Sequence, residues 1–188
     1  MPRENTQQRG DRLVIGITGR IGAGKTSVGR YLAEQHGFYY TRYSQVLSDW
    51  RAQDPESKAH LQAVGWEVME GGMQAELNQR LISRIQPQQN FAVDGLRHPT
   101  DYECLSSAFS LKFHLLYIES SEESRWTRLK GRYPELDVFR AADSHPVEQQ
   151  IESLRKAAFA VITNEGSLAE LYGKVDTVLG NIRPGGQL

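Results

Sequence analysis

A chain of 188 residues is long enough to bury one sizeable core, and its formal net charge of −1 excludes a general electrostatic draw toward nucleic acid or an acidic membrane surface. A single cysteine, Cys104, excludes an internal disulfide and suits a reducing, cytoplasmic setting. The polar start MPRENTQQRGDR lacks the apolar centre of a secretory signal, and no apolar run reaches the roughly 18 residues of a membrane-spanning helix.

The first apolar run, Leu13–Thr18, reads as a strand; a glycine-rich loop and a helical stripe through Val28, Tyr31 and Leu32 follow it. Phe38–Thr41 reads as the second strand. From there to Phe91 no strand pattern occurs. Helical patterns at 44–52, 58–70 and 73–86, the last with Met73, Leu77, Leu81 and Ile85 in register, predict a helical insertion over about 43–88. Phe91–Val93, Lys112–Ile118 and Phe159–Thr163 complete the strands, and the first, third and last lack polar alternation, as strands covered on both faces do. Thr100 with Glu103, Ser120 with Glu123 and Ser167 with Glu170 are spaced as capping boxes. Segment 128–146 reads as irregular and basic, a mobile flap carrying Arg128, Lys130, Arg132 and Arg140. Pro146 opens a helical stripe through Val147, Ile151, Leu154 and Ala158, and Leu168, Leu171, Tyr172, Val175 and Leu179 form the last one. Strands alternating with helices predict an α/β fold with a parallel sheet, one domain over 1–188 with its core at about 12–182 and tails at 1–10 and 183–188.

The loop after the first strand, Gly19-Arg20-Ile21-Gly22-Ala23-Gly24-Lys25-Thr26, fits G-x-x-x-x-G-K-[ST] at every position, with a strand before it and a helix after. Glycines let successive N–H groups turn inward as an anion nest, and the following helix adds its unpaired amides and positive dipole end. The expected occupant is ATP with Mg²⁺, its phosphates on Gly19, Gly22, Ala23, Gly24, Lys25, Thr26 and Ser27, with the Thr26 hydroxyl on the metal. A GTPase would show N-K-x-D, whereas the last strand is followed by Asn164-Glu165-Gly166. An AAA-type ATPase would usually be longer, with an acidic pair after the metal-side strand, so the compact chain favours a small-molecule kinase.

The third strand ends in Asp94, at the carboxyl edge where open α/β sheets place their ligand crevice. Asp94 is a candidate to bind Mg²⁺ through water or to take the proton of an attacking hydroxyl. Arg97, with its planar fork, is a candidate for an anionic group on the acceptor.

The stretches "GITGRIGAGKTSVGRYLAEQHGF", "VDGLRHPTDYE" and "VITNEGSLAELYGKVD" resemble the P-loop nucleotide kinases, nearest to dephospho-CoA kinase-related proteins, deoxynucleoside monophosphate kinases and their uncharacterised archaeal relatives. "LQAVGWEVMEGGMQAELNQRLISRI" resembles their helical acceptor insert and "SRWTRLKGR" the start of their lid. The resemblance implies a five-stranded parallel sheet ordered 2-3-1-4-5, a lid over about 128–146 whose Arg128 and Arg132 clamp phosphates, and an Asn164 that borders the adenine. Independently, Arg125, Arg128 and Arg132 share one face at helical spacing. The chain departs from the group at Ser48, Met69 and Ala142, where relatives often carry arginine, and Ser44-Gln45 lacks their acid. Arg42, Arg51 and Arg97 are candidates to compensate.

His36, His60, His98, His114 and His145 show no metal-ligand spacing, and Cys104 sits among apolar positions as a core residue. Trp50, Trp66 and Trp126 read as packing residues, the first two placed in the insert. The reading is an ATP-dependent phosphotransferase acting on a nucleotide or nucleotide-like small molecule, as a monomer or homodimer. The alternative is an ATP-binding regulatory module or slow ATPase without a kinase substrate, and the neutral charge disfavours a nucleic-acid 5′-hydroxyl kinase.

Overall fold

The computed structural model describes residues 12–51 and 58–182. The expected tails at 1–10 and 183–188, and the insert between 52 and 57, lie outside the described residues.

In chain order the elements are β1 (Val14–Thr18), α1 (Lys25–His36), β2 (Tyr39–Arg42), α2 (Tyr43–Arg51), α3 (Lys58–Glu70), α4 (Gln74–Ile82), β3 (Phe91–Leu96) and α5 (Pro99–Phe109). Then follow β4 (Phe113–Glu119), α6 (Glu122–Leu129), α7 (Leu136–Asp143), α8 (Pro146–Gln149), α9 (Ile151–Leu154), β5 (Ala160–Thr163) and α10 (Leu168–Ile182). The strands form one parallel sheet ordered β2-β3-β1-β4-β5. All-parallel pairing demands cover on both faces, and the period-2 alternation of strand side chains supplies it. Val14, Phe91, Val93, Phe113 and Leu115 join one apolar cluster with the insert helices, while Ile15, Ile17, Ala92, Leu116 and Ile118 join another with α1 and α10.

Three local expectations need correction. β5 is an edge strand with only Ile162 buried, so its lack of polar alternation does not reflect cover on both faces. Segment 128–146 is not irregular: α7 lies within it and buries Phe139 and Asp143. The box over α5 is set by His98 and Asp101 rather than Thr100 and Glu103, and α6 is capped by Ser121 rather than Ser120. Glu165 displaces the expected α6 box, because its carboxylate takes the Ser121 N–H and both the Ser121 and Ser124 hydroxyls. These bonds hold Glu165 down to about 2.

The sheet order puts the turn after β1 at its centre. β1 neighbours β3 on one side and β4 on the other, and the connections leave in opposite directions, which opens a crevice at the strand ends. A register shift between Ile17 and Thr18 skips Gly95, whose φ is +95°. This bulge re-aims the end of β3, and the Thr18 hydroxyl closes it on the Leu96 carbonyl at 2.7 Å.

Candidate active site

The loop from Gly19 to Gly24 is shaped by backbone that only glycine tolerates. At Gly19 (φ +140°) a Cβ would lie 2.2 Å from the Ile118 carbonyl, and at Gly24 (φ +107°) 2.4 Å from the Asn164 amide nitrogen. Gly24 is the N-cap of α1 and makes no side-chain cap bond, and the first turn holds no acid. The positive end of α1 is therefore left for an anion.

Lys25 opens the helix and folds back, its Nζ donating to the carbonyls of Gly19 at 2.6 Å and Arg20 at 2.9 Å. Burial pushes its ammonium below the usual lysine range, and the carboxylates of Glu148 and Asp94 offset part of that. Thr26 is exposed, and its hydroxyl donates to Asp94 Oδ2 at 3.1 Å. Asp94 is 5% exposed and pairs in register with Arg42 of β2 and Ile17 of β1. Its Oδ2 also accepts the Tyr40 hydroxyl at 2.8 Å, so Oδ1 takes no bond among the described residues. Burial and then Asp94 drive the Tyr40 hydroxyl well above the ordinary tyrosine range, so Tyr40 stays a donor.

These groups open into a cavity of about 420 Å³ that runs from the loop to the insert helices. Gly22, Gly24, Lys25, Thr26 and Ser27 line its loop end, with Arg128 and Arg132 over them. Asp94, Arg97 and Arg42 lie along the middle, and Gln62, Met69, Gln74 and Leu77 line the insert end. Arg128 is anchored by the Ser120 hydroxyl at 2.8 Å and the Asn164 carbonyl at 2.6 Å. Arg132 lies past the end of α6, against the Tyr133 ring.

Several sequence candidates sit elsewhere. Asn164 does not line the cavity: its buried amide donates to the Ala23 carbonyl at 2.8 Å and braces the loop from behind. Arg51 is also off the cavity wall, on the Met73 sulfur and the Trp50 ring. Gly19 and Ala23 are buried and shape the loop rather than line the space. Arg125 shares a helix with Arg128 but is not on the cavity wall, for it is buried against Asp143 at 2.6 Å. Met69 lines the insert end, Ser48 is buried outside it, and the Ala142 carbonyl accepts from Gln62.

Glu148 is a residue that sequence reasoning missed. Its side chain is fully buried, 2.7 Å from Arg97 Nη1, and its Oε2 accepts the Ile21 N–H at 3.1 Å. It joins the loop to the middle of the cavity. In sequence it looks like an ordinary acid in a first helical turn after Pro146, and only the tertiary partners give it away.

The residues fit a nucleoside triphosphate with Mg²⁺. A cradle that a Cβ would fill, a lysine, and paired hydroxyl and carboxylate oxygens form the donor set. Among the described residues no group of three or more acidic, histidine or cysteine side chains forms a metal cage. Mg²⁺ keeps waters and takes phosphate oxygens with few protein ligands, so one hydroxyl and one carboxylate oxygen are enough for it.

Loop, sheet order and site together define a P-loop domain of the kinase-like type. A family model described as AAA domain (AAA_18) matches residues 15–148, and the chain belongs to that family. Chain length and the lack of an acidic pair, which set AAA-type proteins apart in the sequence, do not exclude it, since the match covers residues 15–148 of this compact chain. A UPF0200 protein of Methanothermobacter thermautotrophicus is 27% identical over 185 residues, covering 93% of this chain and 93% of that one. A gluconokinase of Sinorhizobium meliloti superposes with a TM-score of 0.62 at 15% identity, over 92% of this chain and 96% of its own. A shikimate kinase of Acinetobacter baumannii, in complex with shikimate, gives 0.57 at 20% identity, over 90% and 94%. At these identities the likeness establishes the fold.

Proposed function

We propose that the protein is an ATP-dependent phosphotransferase that phosphorylates a nucleotide or nucleotide-like small molecule. One observation carries the reading: a single cavity joins Lys25 and Thr26 of the loop to Asp94, Arg42 and Arg97 and then to the insert helices. A donor and an acceptor entering from its two ends would meet at Asp94. Kinase-like structural neighbours support the reaction class.

Bound ATP supplies the transferable phosphoryl group and Mg²⁺ the counter-charge on its oxygens. The loop amides and the N-terminus of α1 bind and orient the phosphates. Lys25 gives up its two carbonyl partners and neutralises phosphate charge. Thr26 and Asp94 would hold the metal, and Asp94 Oδ1 would take the proton where the acceptor presents a hydroxyl, as dephospho-CoA does; a nucleoside monophosphate attacks through a phosphate oxygen and needs no base. Arg128 and Arg132 exclude water and stabilise charge from above. Arg42 and Arg97 orient the acceptor's anionic group, Arg97 from its place against Glu148. Arg51 has no part in this assignment.

The test measures ADP release with ATP and Mg²⁺ across nucleoside monophosphates and dephospho-CoA. Acceptor-dependent release that falls about 100-fold or more in Lys25→Ala, with an unchanged circular dichroism spectrum, is the expected result. Release that is absent or indifferent to every acceptor supports the regulatory module or slow ATPase instead.

A further inference from the structure

The insert end of the cavity carries a buried polar network whose directions are fixed by one carboxylate. Asp101, on α5, accepts at Oδ2 from the backbone N–H groups of Arg97 at 2.9 Å and His98 at 3.0 Å. Its Oδ1 accepts from Gln74 Nε2 at 2.5 Å and Asn78 Nδ2 at 2.8 Å. With two backbone N–H groups already on Oδ2, both amides present their NH₂ groups to Oδ1. That settles which amide atom is oxygen. Asn78 Oδ1 is then answered by the Tyr43 hydroxyl at 2.5 Å. Gln74 Oε1 is buried and is answered by nothing among the described residues, although Gln74 is only 6% exposed and lines the cavity.

A buried carbonyl oxygen without a donor calls for an explanation, and the cavity that Gln74 lines offers one. The group that completes it must donate. An anion is excluded, because it would meet this oxygen and the Asp101 carboxylate together. Leu47, Leu61, Met69 and Leu77 around the same end favour an uncharged, partly apolar group. An amine attached to a heteroaromatic ring meets all three conditions. Its lone pair is delocalised into the ring, so it donates without bringing an acceptor that would need a partner.

We propose that Gln74 Oε1 is the specificity-determining atom of the acceptor end, accepting a hydrogen bond from an exocyclic ring amine on the acceptor's base. The inference rests on the nucleotide-acceptor reading for its ligand class, but not on phosphoryl transfer. The acceptor's charged end then lies toward Arg42 and Arg97, and its amino-bearing end toward Gln74.

Titration calorimetry on the full chain, with a non-hydrolysable ATP analogue and Mg²⁺ filling the loop end, tests this with matched probes. AMP is paired with purine riboside 5′-monophosphate, and CMP with 2-pyrimidinone riboside 5′-monophosphate; each pair differs only in the amine. The expected result is an amino-bearing member bound about 10- to 100-fold tighter than its partner, with the gap collapsing in Gln74→Met. The wild-type comparison stands even if that variant fails to fold. Equal binding within both pairs, which would mean that water answers Oε1, overturns the proposal, as does a gap retained in the variant or no binding by any probe. A gap without acceptor-dependent ADP release leaves this inference standing and removes phosphotransfer; release without a gap does the reverse.

Discussion

Gly29 shows how one residue in the middle of a helix serves the site at a distance. Glycine inside a helix costs about 1 kcal/mol relative to alanine. Here a Cβ would sit 2.3 Å from Tyr40 Cε2, so the missing side chain is where the tyrosine ring lies. That ring carries the hydroxyl that fixes Asp94. Gly29→Ala should therefore destabilise by about 1–3 kcal/mol through overpacking, despite the better helix propensity. In a Tyr40→Ala background the ring is gone, and the same change should become stabilising by up to about 1 kcal/mol. Urea unfolding of the four proteins checks the reversal; a Gly29→Ala effect of the same sign and size in both backgrounds would refute the packing argument.

At the scale of elements, α7 is tied to the loop by one carboxylate. Asp143 accepts from Arg125 at 2.6 and 3.0 Å and from Arg20 Nε at 3.0 Å, and its carbonyl accepts from Arg20 at 2.7 Å. Burial disfavours its charge, but the two guanidinium groups outweigh burial and hold the carboxyl below its usual 3.8. A depressed value in the folded state gives stability that is fully present above about pH 4 and is lost as pH falls through the lowered value. Asp143→Asn leaves Arg125 buried without its counter-charge, so it should cost about 3–5 kcal/mol at neutral pH. The gap to wild type should narrow as pH falls below about 4, read from thermal unfolding across pH. A gap that stays constant down to pH 2 would sink the ion-pair account.

The same elements show what the sequence discloses and what it hides. The central strands were legible because burial on both faces leaves a run such as Val14–Thr18 with no polar break. The glycine loop was legible because its spacing is itself the chemistry. Caps were not, since His98 caps α5 from outside the usual residue set and Glu165 reaches α6 from a distant loop. The stripe from Val147 to Ala158 picked out buried Val147, Ile151 and Leu154 and half-buried Ala158, but not the division at Gln150, where Ser153 N bonds to the Gln150 carbonyl in a tighter turn. Arg125 and Arg128 look alike at helical spacing, and only Asp143 on one side and the cavity on the other separate them. Glu148 and Gln74 were illegible because their partners come from separate segments of the chain.

For the molecule as a whole, the insert is not an appendage. Val46, Leu47, Val64, Val68, Leu77 and Leu81 from α2, α3 and α4 share one apolar cluster with Val14, Phe91 and Val93 of the sheet and Leu105 of α5. The insert end of the cavity is thus built on the same core that holds β1 and β3 under the loop. A unit that shares its core should unfold with it, in one transition. Leu81, a fully buried member of that cluster, tests this. Leu81→Ala should cost about 2–5 kcal/mol by cavity formation. For a chain of this size each kcal/mol moves the midpoint by about 2–4 °C. Calorimetry should show one peak displaced downward by roughly 4–20 °C, with calorimetric and van't Hoff enthalpies still equal. A shoulder that moves while the main peak stays would mean that the insert melts alone, and that the two ends of the cavity are held by separate cores.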